Sequence, residues 1–311
     1  MSDYPYAVPI WPFAAIGMVS GFGFLVWMSI PAARARYARR IAREQGLELD
    51  DLGGRVVGPY YVRRLRLSAL GFIVVCGTVL AIAALGLPLP FQGTEFWVAG
   101  AWAVIPLVTV GGGIGVMASG LRWPRTSSGT TALGRLTLPT RADVVAPWEE
   151  RLQLAAVTVG VALPVIVLTA GLGDGRAEPI AALVLGALGV LATVGWRAAS
   201  DRVLRRRPIS GDLRSLAWSD ALRSDAIRFG MPVPAALAAS AYALSLGSIA
   251  AALESSGNRF GGVLLSFGVA VIAIGLAGVT IGQLATGASR RWHRLRPANP
   301  AGPALSEGGP A

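Results

Sequence analysis

Long runs without a charged residue, separated by arginine-rich stretches, set the pattern of this chain. The charge-free runs cover residues 4–33, 67–94, 96–121, 152–173, 179–196, 229–253 and 260–289. Crossing a hydrocarbon core of roughly 30 Å takes about 20 helical residues. Six of the runs meet that length. The fifth holds 18 residues and opens on Pro179, so length alone leaves it short. Helices are expected near 11–31, 67–87, 96–120, 152–172, 179–197, 231–253 and 261–286. The expected fold is all-α: a polytopic membrane bundle of seven transmembrane helices forming one domain over residues 1–286. Residues 287–311 read as a tail, basic at first and then rich in Pro, Gly and Ala, with too little apolar surface to fold.

The positive charges orient this bundle. Segments 31–66, 121–151, 197–230 and 287–311 hold 9, 5, 8 and 4 arginines, and only Arg176 and Arg259 lie elsewhere. Such a bias predicts the N-terminus outside and the C-terminus in the cytoplasm of a bacterial plasma membrane. It also requires the fifth span, without which one arginine-rich loop would face outward. Ala33-Arg34-Ala35 has a small-x-small form suited to a signal-peptide cleavage site. The positive cluster follows the apolar run instead of preceding it, which fits an uncleaved first span.

Composition agrees: 53% of the 311 residues are hydrophobic, 14% are charged and the mean hydropathy is +0.57. The net charge of +11 lies in Arg-rich loops and not along a soluble face, so no nucleic-acid partner is expected. Anionic headgroups at the cytoplasmic face are the expected lipid partners. One lone helix followed by three hairpins, starting at Leu67, Leu152 and Met231, is compatible with a degenerate repeat of 85 and 79 residues. Ordinary alternation of spans and loops would look the same.

Small residues mark the expected helix contacts, because lipid removes the hydrophobic drive between helices. The last span carries Gly261, Gly268, Gly275 and Gly282 at a spacing of seven, and the sixth has Ala239, Ala243, Gly247 and Ala251. The first has Gly17 and Gly21, expected to pack within the chain, with a homodimer through this span as the alternative. In the third span, Gly111, Gly112, Gly113 and Gly115 follow Pro106. This run marks either a tight helix crossing, the preferred reading, or a break that exposes backbone to a cavity.

Chemistry narrows the functions. Apart from Arg197 at the edge of the fifth, the expected spans hold no Asp, Glu, Lys, Arg or His, which argues against a proton-coupled carrier, an ion pump or a voltage sensor. The chain has no lysine for a retinal Schiff base, and its single His293 lies between arginines in the tail. A site built from several His or Cys is therefore not expected, nor is any catalytic residue, metal or cofactor. Asp220 and Asp225 are five apart, about 140° around a helix, and read as solvated loop acids.

The segment 211–229 (GDLRSLAWSDALRSDAIRF) is the most informative cytoplasmic stretch. On a helix, Trp218, Leu222 and Phe229 form one apolar stripe and Leu213, Leu216 and Ile227 a second, with Arg214, Arg223 and Arg228 interspersed. Trp218, Leu222, Arg223, Arg228 and Phe229 are the expected docking residues for lipid or a protein partner. This Asp-Ala-Leu-Arg…Ala-Ile-Arg stretch before a late span resembles uncharacterised multi-pass membrane proteins of actinobacteria, a resemblance that carries no activity. The expected function is a permease-like or accessory subunit of a transport system working with a cytoplasmic partner such as an ATPase. The alternative is a non-transporting scaffold or sensor that recruits protein or anionic lipid through its arginine-rich loops.

Overall fold

A computed structural model describes residues 11–45, 51–85, 110–111, 113–115, 139–172, 177–206, 213–258 and 261. Among them the regular elements are helical, and no strand occurs. We number the helices α1 (Trp11–Trp27), α2 (Pro31–Gln45), α3 (Asp51–Ala84), α4 (Pro147–Thr169), α5 (Ala177–Leu204), α6 (Leu213–Gly230) and α7 (Pro232–Ser255). Among the described residues, four stretches are long and apolar enough to cross a membrane: Gly58–Ala81, Pro147–Thr169, Pro179–Leu204 and Leu216–Ala250. The number is five if the bent pair Ala14–Trp27 and Pro31–Arg43 is counted as one span. The third and seventh expected spans, the tail, Gly112, and the stripe beyond Gly261 lie outside the described residues, apart from residues 110–111 and 113–115.

Helix ends follow local chemistry. At Met28–Ile30 the chain leaves α1 and turns by 92°, with Pro31 opening α2, a position where its missing N–H costs nothing. The described residues of the expected loop 31–66 are helical: Ala and Arg favour helix in α2, while the start of α3, which holds Gly53, Gly54, Gly58 and Pro59, is supported by the packing of Tyr60 and Tyr61. Pro147 opens α4, and the Glu149 carboxylate accepts a bond from the Ala146 N–H at 2.9 Å, satisfying one of the orphan donors of a helix start. At the other end of α4, Gly171 takes φ +65°, the Leu172 N–H donates to the Val167 carbonyl and the Gly171 N–H to the Leu168 carbonyl. That is the Schellman pattern, in which a glycine supplies the left-handed residue. The weakest expected span is a helix of 28 residues, α5, which runs on past its charge-free window through Arg197, Asp201 and Arg202.

Close backbone approach joins the helices into two groups. In the first, α1 lies on α3: a Cβ on Gly17 would stand 2.9 Å from Cys76 Sγ, and one on Gly21 2.7 Å from Ile73. The small pair of the first span is thus used within the chain. In the second, α4, α5 and α7 cross tightly. A Cβ on Gly160 would stand 2.8 Å from Ala238 Cα, and one on Gly186 would overlap the Gly160 carbonyl.

The glycine run of the third span touches both groups. A Cβ on Gly111 would meet the Gly71 backbone, one on Gly115 would overlap the Leu67 carbonyl, and one on Gly113 would strike Val233 of α7. Residues 110–111 and 113–115 are helical, and Gly111, Gly113 and Gly115 make close approaches to neighbouring helices. Side chains that face away from the contacts on α4 and α5, such as Leu152, Ile166, Val184, Leu191 and Val194, are exposed and apolar, as suits a lipid surround.

Candidate functional site

A helix that carries five arginines and acids in eighteen residues ordinarily shows water one polar face. In α6 every residue from Leu216 to Ile227 is buried. Small residues make this possible: Ala217, Ser219, Ala221, Ser224 and Ala226 let neighbouring helices approach. Two different clusters use its two sides. Ala217, Trp218, Ala221 and Leu222 pack with Ala42 of α2 and Tyr60 and Tyr61 of α3, flanked by Tyr37 and Ile41. Ala226 and Ile227 pack with Trp196, Val203 and Leu204 of α5 and with Val144, Val145 and Met231. The Trp196 indole N–H donates to the Ile227 carbonyl at 2.8 Å and pins the second contact.

Burying the polar groups of α6 then demands partners, because an unpaired charge away from water is costly. Asp225 Oδ2 accepts from the Tyr61 hydroxyl at 2.6 Å and from Arg64 Nη1 at 3.1 Å. Arg64 and Asp225 have side chains only 3% and 4% exposed. The Arg64 guanidinium also lies 3.6 Å above the Phe229 ring, a cation–π arrangement. One turn earlier, Arg223 bonds Asp220 at 3.3 Å and donates to the Arg206 carbonyl. Arg228 donates to the Val144 carbonyl at 3.0 Å. The cluster therefore ties α6 to α3 on one side and to the end of α5 on the other.

Asp220 and Asp225 do diverge around α6, as their spacing requires, but both are buried. The expectation of solvated loop acids is corrected: each is drawn inside by an arginine, Arg223 for one and Arg64 for the other. The docking residues need the same correction. Trp218, Leu222 and Arg223 are 3%, 0% and 4% exposed, covered by the chain's own helices, while Arg228 and Phe229 are half-buried. Two apolar stripes on one helix meant two packed sides.

A second, partly exposed network holds the neighbouring helix ends. Glu150 accepts from Arg197 at 2.8 Å and from Arg141 at 3.3 Å, and Arg141 reaches Asp201 at 3.2 Å. At such exposure each pair contributes little by itself.

Within the apolar helices, hydroxyls are satisfied locally. Thr158, Thr169, Thr193, Ser240, Ser245 and Ser248 each donate to a carbonyl of their own helix, three or four residues back. They are not held ready for a ligand. By contrast Asp225 Oδ1, Ser224 Oγ and Ser200 Oγ are buried with no hydrogen-bond partner among the described residues. Ser200 falls between the two points where α5 meets α6, Trp196 at Ile227 and Arg206 at Arg223. The ionic cluster thus keeps acceptor and donor capacity in reserve. Among the described residues no group of three or more His, Cys, Asp or Glu could hold a metal ion.

The Arg64–Asp225 pair spans 161 residues of sequence, so no local motif announces it. The available signal was the pair of apolar stripes flanking Asp225, which marks an inner helix whose acid needs a cation. No family model, curated protein or solved structure matches the chain.

Proposed function

We propose that this chain is a permease-like or accessory membrane subunit of a transport system that works with a cytoplasmic partner. It has seven spans, an outside N-terminus and arginine-rich loops in the cytoplasm of a bacterial plasma membrane. The observation that carries the transport reading is the buried Arg64–Asp225–Tyr61 cluster between the two helix groups. In this orientation the cluster lies at the cytoplasmic end of the bundle, just ahead of the apolar part of α3 and of α7.

Ionised groups buried this far from water are expensive, which supports a working part for the pair. A charge pair between packed helices makes a discrete contact, closed or open, of the kind that lets two helix groups part and rejoin. Here α6 leads directly into α7 of one group while Asp225 holds α3 of the other. A cytoplasmic partner acting near α6 would shift that equilibrium.

The test uses a Cys76→Ser background with spin labels at Arg66→Cys on α3 and Arg202→Cys on α5, both exposed. With the partner retained from native membranes, nucleotide is expected to move the label-to-label distance between two populations. A single distance that ignores nucleotide, in a homo-oligomer holding only anionic lipid, contradicts transport and favours the scaffold reading.

A further inference from the structure

The geometry points to the outer face of α2 as a binding site for anionic phospholipid headgroups, in place of the buried helix α6. Three observations combine. The helix leaves α1 at 92°, so when α1 crosses the membrane α2 runs along its surface. Its inner side is anchored to the protein, with Tyr37, Ile41 and Ala42 in the aromatic cluster of Tyr60, Tyr61 and Trp218. Its outer side carries Arg36, Arg39 and Arg43, all exposed and within about 60° of one another at 100° per residue. Arg40 flanks them, and the helix's one acid, Glu44, sits in its last turn.

Charge complementarity selects the occupant. A helix held in the plane of the interface, with a row of guanidinium groups beside the headgroup layer, matches phosphodiester oxygens, which arginine binds as a planar fork. Juxtamembrane arginines gain roughly 1 kcal/mol each near an anionic surface, equal to about fivefold in local preference. The Tyr37–Tyr61 contact, with ring centroids 6.4 Å apart, links this face to the residue that bonds Asp225, so α2 and the ionic cluster share one wall. This inference requires a membrane-embedded chain but not a transport function.

The purified full chain, in nanodiscs containing phosphatidylglycerol and phosphatidylcholine, provides the test. Energy transfer from its tryptophans to labelled lipid of each type measures local enrichment. The wild-type chain is expected to enrich the anionic lipid, and Arg36→Gln/Arg39→Gln/Arg43→Gln to lower that enrichment at least about fivefold. High salt should weaken it, as screening requires. Arg151→Gln/Arg202→Gln/Arg205→Gln, exposed on α4 and α5, removes the same charge away from α2 and should leave the enrichment within about twofold, well inside the effect of one arginine on α2. Circular dichroism verifies that every variant is folded. Equal enrichment in the triple variant, an equal loss in the control, or no preference in the wild type would each overturn the assignment. The last two outcomes would leave the helix face to a protein partner or to general charge.

Discussion

Asp225→Asn is expected to destabilise the folded chain by about 3–5 kcal/mol, because it leaves the Arg64 charge buried without its counter-ion. The carboxylate holds two partners at once, Tyr61 at 2.6 Å and Arg64 at 3.1 Å, so an amide weakens both bonds. Tyr61→Phe removes one of them and should cost less, about 1.5–3 kcal/mol for a bond to a charged acceptor. Removing both charges should behave differently. Arg64→Met/Asp225→Leu eliminates the desolvation penalty together with the attraction, and replaced buried pairs are often neutral. The double variant is therefore expected to recover part of the loss, reduced by the lost stacking of Arg64 on Phe229 and by the buried Tyr61 hydroxyl, which is left without its acceptor. Reversible unfolding in mixed micelles measures all of these. A double variant no more stable than Asp225→Asn would show that the pair is not isolated from other buried groups. On the proposed transport reading, the double variant should be stable but unable to exchange states.

Gly160→Val is the second large effect, and it acts through shape alone. The Cβ it introduces would stand 2.8 Å from both Cα and Cβ of Ala238, while Gly186 presses on the Gly160 carbonyl from α5. Backbone cannot swing aside as the end of a side chain can. Overpacking of this kind costs about 1–3 kcal/mol in a core that can relax. Three helices meet here, and a membrane bundle depends on such close packing, so the upper end of that range is expected. Gly195→Val supplies the comparison, since nothing stands within 4 Å of a Cβ at that position. Thermal unfolding should separate the two variants by several degrees. Equal midpoints would mean that α4, α5 and α7 are not packed as described.

Much of the helix plan was readable because the chain alternates charge-free runs with arginines. The runs at 152–172 and 231–253 became α4 and α7 with boundaries moved by a few residues. The fifth run was short because a charge-free window measures only the part of a helix that tolerates no charge. Arg197, Asp201 and Arg202 sit on the same helix beyond it, where Glu150 pairs Arg197, Arg141 pairs Asp201 and Arg202 is exposed. The basic stretch 31–66 hid two helical segments for the opposite reason. Its arginines spoke for orientation, yet Ala and Arg also favour helix, and Tyr37, Tyr60 and Tyr61 supply the apolar face that lets it pack.

The ionic cluster was the least readable part. Periodicity placed Trp218 and Leu222 on one stripe and Ile227 on another, which is a local property of α6. Whether such a helix lies on a membrane or between two helix groups depends on what covers it, and on the side of Asp225 the covering residues Tyr61 and Arg64 lie more than 160 positions away. Excluding charges from the apolar runs likewise placed Arg64 and Asp225 just outside them, at the level where the two groups meet. The functional weight given to the interior passes to that junction.

Solvent access to α6 tests the central claim most directly. In a Cys76→Ser background, Ala221→Cys introduces a thiol at a position 1% exposed, and Arg202→Cys one at an exposed position. Opened membranes are treated with a charged maleimide that does not cross lipid. If α6 is an inner helix tied to α3, Arg202→Cys labels readily while Ala221→Cys labels only after unfolding. Labelling of Ala221→Cys as fast as Arg202→Cys in the folded chain would contradict the account and return α6 to the protein surface.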